Sequence, residues 1–169
     1  MTFPIKAVLT CCIALLVSAT SVEAQKKKTE SAVIYRGNPS SAISASVTIP
    51  ENKQYFFSSG TVAQLADSTA AAGTRARYGD TKTQAISILE RLKKGLNDEG
   101  LTLGNVVFMR VYVAPDPATG KPDFQGWFDA YAQYFGTTAN PVKPARSTIG
   151  IAQLVNPDLL IEIEIVAVY

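Results

Sequence analysis

Three charged side chains stand out by their positions. Arg146 follows Pro144-Ala145 at the approach to a strand. A guanidinium there can grip a carboxylate through two parallel charge-assisted hydrogen bonds, or it can form a surface ion pair of little worth. Glu162 and Glu164 interrupt the apolar run 160–168. Period two places them on one strand face, about 6.6 Å apart, in a row with Leu160, Val166 and Val168. Carboxylates so placed lie at a sheet edge or in a pocket that tunes their pKa. The alternative is an ion pair with Arg110 or with a lysine on a neighbouring strand. The spacing also suggests a two-carboxylate glycosidase, but two groups on the same strand would not flank a sugar.

Composition removes most other chemistry. None of the 169 residues is histidine, which excludes Ser-His-Asp and Cys-His catalysis, histidine-ligated zinc and histidine general bases. The two cysteines, Cys11 and Cys12, sit in an N-terminal segment that reads as a secretory signal. Lys6 precedes an apolar run over 7–17, and small residues lead to Val22-Glu23-Ala24, with cleavage expected after Ala24. The run is too short to span a bilayer, so no membrane association is expected after cleavage. The mature chain then has no thiol and no disulfide and folds by burial alone. Lys plus Arg number 16 against 14 Asp plus Glu, a net charge of +2 that leaves no footprint for nucleic acid. With 47% hydrophobic and 18% charged residues, the chain has the profile of a folded protein.

The elements that must position Arg146 and Glu162 follow from periodicity. Residues 1–24 are the expected signal, 25–42 a leader opening with Lys26, Lys27 and Lys28, and 43–169 one domain. Strands are expected over 43–49 and 55–58, joined as a hairpin through Pro50-Glu51-Asn52-Lys53. Residues 61–79 read as a long loop with one turn of helix, holding Arg75 and Arg77 and long enough to cover a pocket. Thr81-Lys82-Thr83-Gln84 fits a capping box opening a helix, with the Gln84 side chain returning to the cap amide. Ala85, Ile88, Leu89, Leu92 and Leu96 form its apolar stripe, and Gly100 ends it. A strand apolar on both faces runs over 105–114. Phe124, Trp127, Phe128, Tyr131 and Phe135 recur at helical spacing and read as core packing on the sheet. Strands over 146–154 and 159–169 complete an α+β order, β-β-α-β-α-β-β, with both helices on one face of a mixed or antiparallel sheet. The other face has no second layer to cover it, so self-association through the sheet is expected.

The order of these motifs resembles the RidA/YjgF family of reactive-intermediate (enamine/imine) deaminases. The similarity runs from Ser59-Gly60, through Gly79-Asp80 and Gln84, to Val106-Val107 and Val111-Tyr112-Val113. It continues in Phe124, Tyr131 and Phe135, and is most specific at Pro144-Ala145-Arg146-Ser147, Leu154, Ile161-Glu162-Ile163-Glu164 and Val166-Ala167-Val168. The resemblance implies a chorismate-mutase-like fold and a homotrimer whose sheets form a barrel with clefts between subunits. It implies that Arg146 grips the carboxylate of a 2-imino or 2-enamino acid, and that Glu162 activates the attacking water. Ser59 and Gly60 would line the cleft, and Thr148 occupies a substrate-binding position held by cysteine in typical members. The implied reaction is hydrolysis to a 2-keto acid and ammonia, with no metal or organic cofactor. Ser44 or Ser46 stands where the best-understood subgroup has a tyrosine, and Phe128 where it has an asparagine.

Two readings follow. The first is an exported imine deaminase, periplasmic or secreted. The second is a trimeric protein that binds small carboxylate metabolites without turnover, suggested by the changed cleft residues and the 61–79 loop. RNA cleavage, described for some relatives, is disfavoured by the charge balance and the missing histidine.

Overall fold

A computed structural model describes residues 32–169. The expected signal, Cys11, Cys12 and the lysine run lie outside the described residues. The elements in chain order are β1 (Ile34–Arg36), β2 (Ser46–Thr48), β3 (Tyr55–Phe57), β4 (Thr61–Val62), α1 (Arg75–Tyr78), α2 (Thr81–Asp98), β5 (Val106–Val113), β6 (Pro115–Asp116), β7 (Lys121–Pro122), α3 (Phe124–Tyr131), β8 (Ala145–Gly150) and β9 (Ile161–Val168). The main sheet is mixed. β9 lies between β5 and the β3–β4 edge, antiparallel to all three, and β5 pairs in parallel with β8 at the other edge.

Helix α2 starts where the sequence indicates but is capped differently. Asp80 is the N-cap and its carboxylate accepts from Thr83 N at 2.8 Å. That backbone hydrogen bond, helped by the Thr83 hydroxyl, holds the Asp80 carboxyl below its ordinary pKa. Gln84 does not return to the cap. It is fully buried, its Nε2 donating to the carbonyls of Gly79 and Asp158, both at 3.1 Å, and its Oε1 accepting from Leu160 N at 2.8 Å. At the far end Leu101 N donates to Leu96 O at 2.8 Å across Gly100, whose φ of 74° is the left-handed geometry expected of the stop.

Ile88, Leu89, Leu92 and Leu96 of α2 and Trp127 and Tyr131 of α3 bury one face of the sheet. That face is built from Met109, Val111 and Val113 of β5 and Ile161, Ile163 and Ile165 of β9. Each fully buried aliphatic side chain there contributes about 1.5–3 kcal/mol. The opposite face carries Phe108, Arg110 and Tyr112 from β5, Glu162, Glu164 and Val166 from β9, Phe57 from β3 and Ile149 from β8. No described residue forms a layer over it, and Phe57 is 70% exposed. The segment apolar on both faces therefore has one face packed and the other open.

Two expectations need correction. Residues 43–49 and 55–58 do not form a hairpin with each other: β2 pairs with β1, and β3 pairs with β9. The turn over 50–53 exists, with Asn52 at φ 67°, but it joins strands whose hydrogen bonds go elsewhere. The leader segment also contributes a strand of its own. Ile34–Arg36 is a strand, anchored to the main sheet by Tyr35 Oη donating to Val106 O at 3.0 Å. The aromatic helix is also shorter than its stripe, ending at Tyr131 before Phe135.

Candidate functional site

Arg146 lies on β8 opposite Met109 of β5, so its side chain takes the helix-covered face. There the guanidinium carbon is 4.3 Å from the Tyr131 ring centroid, 5.2 Å from Phe128 and 5.3 Å from Trp127. Each ring face attracts the cation, by about 0.5–2 kcal/mol. Burial pulls Arg146 below its ordinary pKa, opposed by the charge interaction with Tyr131. Its Nη1 is enclosed and has no hydrogen-bond partner among the described residues. A buried donor left without an acceptor costs about 1–3 kcal/mol, which an anionic guest would recover.

The guanidinium borders a cavity of about 260 Å³ with Ser41, Ala42, Phe128, Tyr131 and Lys143. Tyr131 Oη donates to Ala42 O at 3.0 Å, and Lys143 Nζ to the carbonyls of Pro39 and Ser41, both at 2.8 Å. These three hydrogen bonds tie the segment before β2 to the floor of the cavity. Burial raises the Tyr131 pKa to about 12, so its hydroxyl remains a proton donor at neutral pH. Ser44 is buried and donates to Lys143 O at 2.5 Å, whereas Ser46 sits on β2.

Thr148 shares the face of Arg146 but is engaged by the protein itself, its Oγ1 accepting from Trp127 Nε1 at 3.3 Å. Ser59, Gly60 and Glu162 gather on the other side of the sheet. Glu162 pairs across the strands with Tyr112 and with Val62, on the open face. Its carboxylate rests on Gly60: a Cβ there would stand 1.6 Å from Oε1. Ser59 is exposed beside it. Glu164 is the carboxylate that takes the ion pair, with Arg110 Nη1 at 3.0 Å. Glu162 has no ion-pair or hydrogen-bond partner among the described residues.

The five anticipated site residues thus form two groups, Arg146 with Thr148 and Glu162 with Gly60 and Ser59, on opposite faces of one sheet. A single chain does not bring them together. The aromatic surround of Arg146 escaped the sequence reading because Trp127, Phe128 and Tyr131 have the spacing of a core stripe. Of those three, Phe128, 40% exposed, departs from core behaviour. Among the described residues no group of three or more His, Cys, Asp or Glu side chains is placed to hold a metal ion, and no helix is long and apolar enough to cross a membrane.

This mixed α+β fold, with two helices on one face of the sheet, is that of the YjgF/Rid class of small proteins. Residues 39–169 match the family described as endoribonuclease L-PSP, and the chain belongs to that family. A RutC family protein of Pyrococcus horikoshii is 36% identical over 89 residues, 53% of this chain and 63% of the relative. The match thus spans less than two thirds of that relative's length. Among solved structures, a protein of unknown function of the Rid family, YyfB from Yersinia pestis, is 29% identical with a TM-score of 0.57, over 76% of this chain and 87% of that one. E. coli TdcF with bound serine is 25% identical with a TM-score of 0.53, over 72% and 84%.

Proposed function

We propose that the protein hydrolyses reactive 2-imino and 2-enamino acids to 2-keto acids and ammonia, in clefts assembled between copies of the chain. The observation that carries this reading is the enclosed, unpartnered Nη1 of Arg146 facing a small cavity. Such a donor suits a carboxylate, and the serine in TdcF shows that a relative accommodates a small amino acid. Because Glu162 lies on the other face, the arginine of one copy meets the glutamate, Gly60 and Ser59 of the next, and three such contacts close a homotrimer over the open sheet face. Arg146 holds the carboxylate so that the C=N carbon is exposed to water. Glu162 takes a proton from that water as its oxygen bonds to the carbon. Glu162 hands that proton to nitrogen, giving a carbinolamine; the hydroxyl proton then follows to nitrogen through the same carboxylate, the C–N bond breaks, and ammonia leaves as the C=O bond forms. The imine is already electrophilic, so holding it beside one oriented water supplies most of what the reaction needs. We further propose that this takes place outside the cytoplasm, after removal of the N-terminal signal.

Imines generated from alanine by an amino-acid oxidase supply the test. Arg146→Ala should lose about 3 kcal/mol of substrate binding, a rate drop of roughly a hundredfold in kcat/KM. Arg146→Ala and Glu162→Gln, each inactive alone, should together recover about a quarter of wild-type activity when unfolded and refolded as a mixture, because random trimers rebuild intact clefts at that frequency. Wild-type rates in Arg146→Ala overturn the reading. No recovery in the mixture overturns the shared cleft. Tight binding of keto acids without imine hydrolysis favours the non-catalytic carboxylate-binding alternative.

A further inference from the structure

We infer that a second cavity, lined by none of the residues around Arg146, binds an organic anion through Arg75 and Arg77. It measures about 830 Å³, within the range of small-molecule sites. The 72–79 part of the long loop forms one wall, the turn after β5 another, and the segment before β9 a third. These walls are fastened. Arg77 O accepts from Ala66 N at 2.8 Å, which closes the loop on itself, and Gln84 joins the Gly79 and Asp158 carbonyls behind the cavity.

The polar groups inside are unequal in what they have left to offer. Asp116, only 2% exposed, is engaged through both oxygens: Oδ1 accepts from Ala118 N at 2.9 Å and Oδ2 from Arg75 Nη2. Asp158 Oδ1 accepts from Gly73 N at 2.7 Å. The carboxylates therefore act as anchors that fix two guanidinium groups. Arg75 spends one of its N–H groups on Asp116. Arg77 Nε is enclosed with no hydrogen bond, the Asp158 oxygen standing 3.6 Å away. A guanidinium has five N–H donors, and these contacts use few of them. The unused donors suit an acceptor-rich, negatively charged group. Pro117, Pro157 and Leu160 supply apolar wall for the rest of the molecule. The ligand class is a carboxylate or phosphate on a compact apolar body.

Calorimetric titration of the full chain with phenylacetate and with phenyl phosphate, against 2-phenylethanol as the uncharged control, tests this and distinguishes the two anions. One or both anions should bind saturably and the alcohol should not. Arg77→Gln and, separately, Arg75→Gln should weaken that binding at least tenfold with unchanged far-ultraviolet circular dichroism, while Arg146→Ala leaves it intact. Absence of saturable binding by both anions overturns the inference. So does binding that vanishes in Arg146→Ala and survives in both Arg75→Gln and Arg77→Gln, which would place the anion in the other cleft. Imine hydrolysis plays no part in this readout, so the two sites fail independently.

Discussion

Arg146 and Gly60 show how much depends on what a residue leaves undone. Arg146 is stabilised by ring faces but keeps a donor free. Gly60 contributes an absence, because its missing side chain is the space the Glu162 carboxylate occupies. Gly60→Ala should therefore cost little stability, since the flexible end of Glu162 can swing away. Imine hydrolysis should fall about a hundredfold with a melting temperature shift under about 2 °C, measured on the same preparation. The tyrosines give a second expectation. Burial raises both Tyr131 and Tyr134 from 10.0 to about 12, with the Glu90 hydrogen bond adding to the shift at Tyr134. Their folded pKa values exceed the unfolded one, so the stability contribution is complete below about pH 10 and is lost as pH climbs toward 12. Urea midpoints at pH 9, 10 and 11 should be level over the first step and drop over the second. Glu162 and Glu164 stood out in the sequence because a charge inside an apolar strand is rare, and Arg146 by its place after Pro144-Ala145 at the approach to a strand. The rings around Arg146 were not, because helical spacing cannot separate a core aromatic from one that faces a cation.

At the scale of elements, helix α2 does more than cover the sheet. Through Gln84 it holds the loop before it by one hydrogen bond and the segment before β9, more than 70 residues away, by two. Gln84→Ala would strand a buried N–H and remove two donors from buried carbonyls. The expected loss is about 3 kcal/mol, seen as a melting temperature lower by roughly 6–12 °C. The capping pattern located this helix correctly but assigned Gln84 to the wrong partner. Local spacing reports where a helix begins, whereas the partner of a buried amide is set by chain that arrives from elsewhere. The same limit explains the misassigned hairpin. Tyr55 and Val47 carry strand character, yet nothing local tells that their hydrogen bonds go to Val168 and Tyr35.

For the whole molecule, the packed and open faces of the sheet divide the labour. The helix side gives the fold its stability, and the open side, with Phe57, Phe108, Tyr112 and Ile149 beside the Arg110–Glu164 pair, suits burial against copies of itself. On the proposed trimeric arrangement, Phe57→Asp should sediment as a monomer where the wild type sediments as a trimer, with native circular dichroism, and the proposed imine hydrolysis should disappear with the assembly. The open face was foreseen from the order of elements, since two helices on one face leave none for a second layer. The division of Arg146 and Glu162 between the two faces was not, because strand register across the sheet decides it. That division has a genetic corollary. On the proposed arrangement every polypeptide serves two neighbouring clefts, lending the cation to one and the anion to the other. A single defective subunit lacking both groups would silence two clefts out of three, so an allele encoding it should be dominant over the wild type in proportion to its expression.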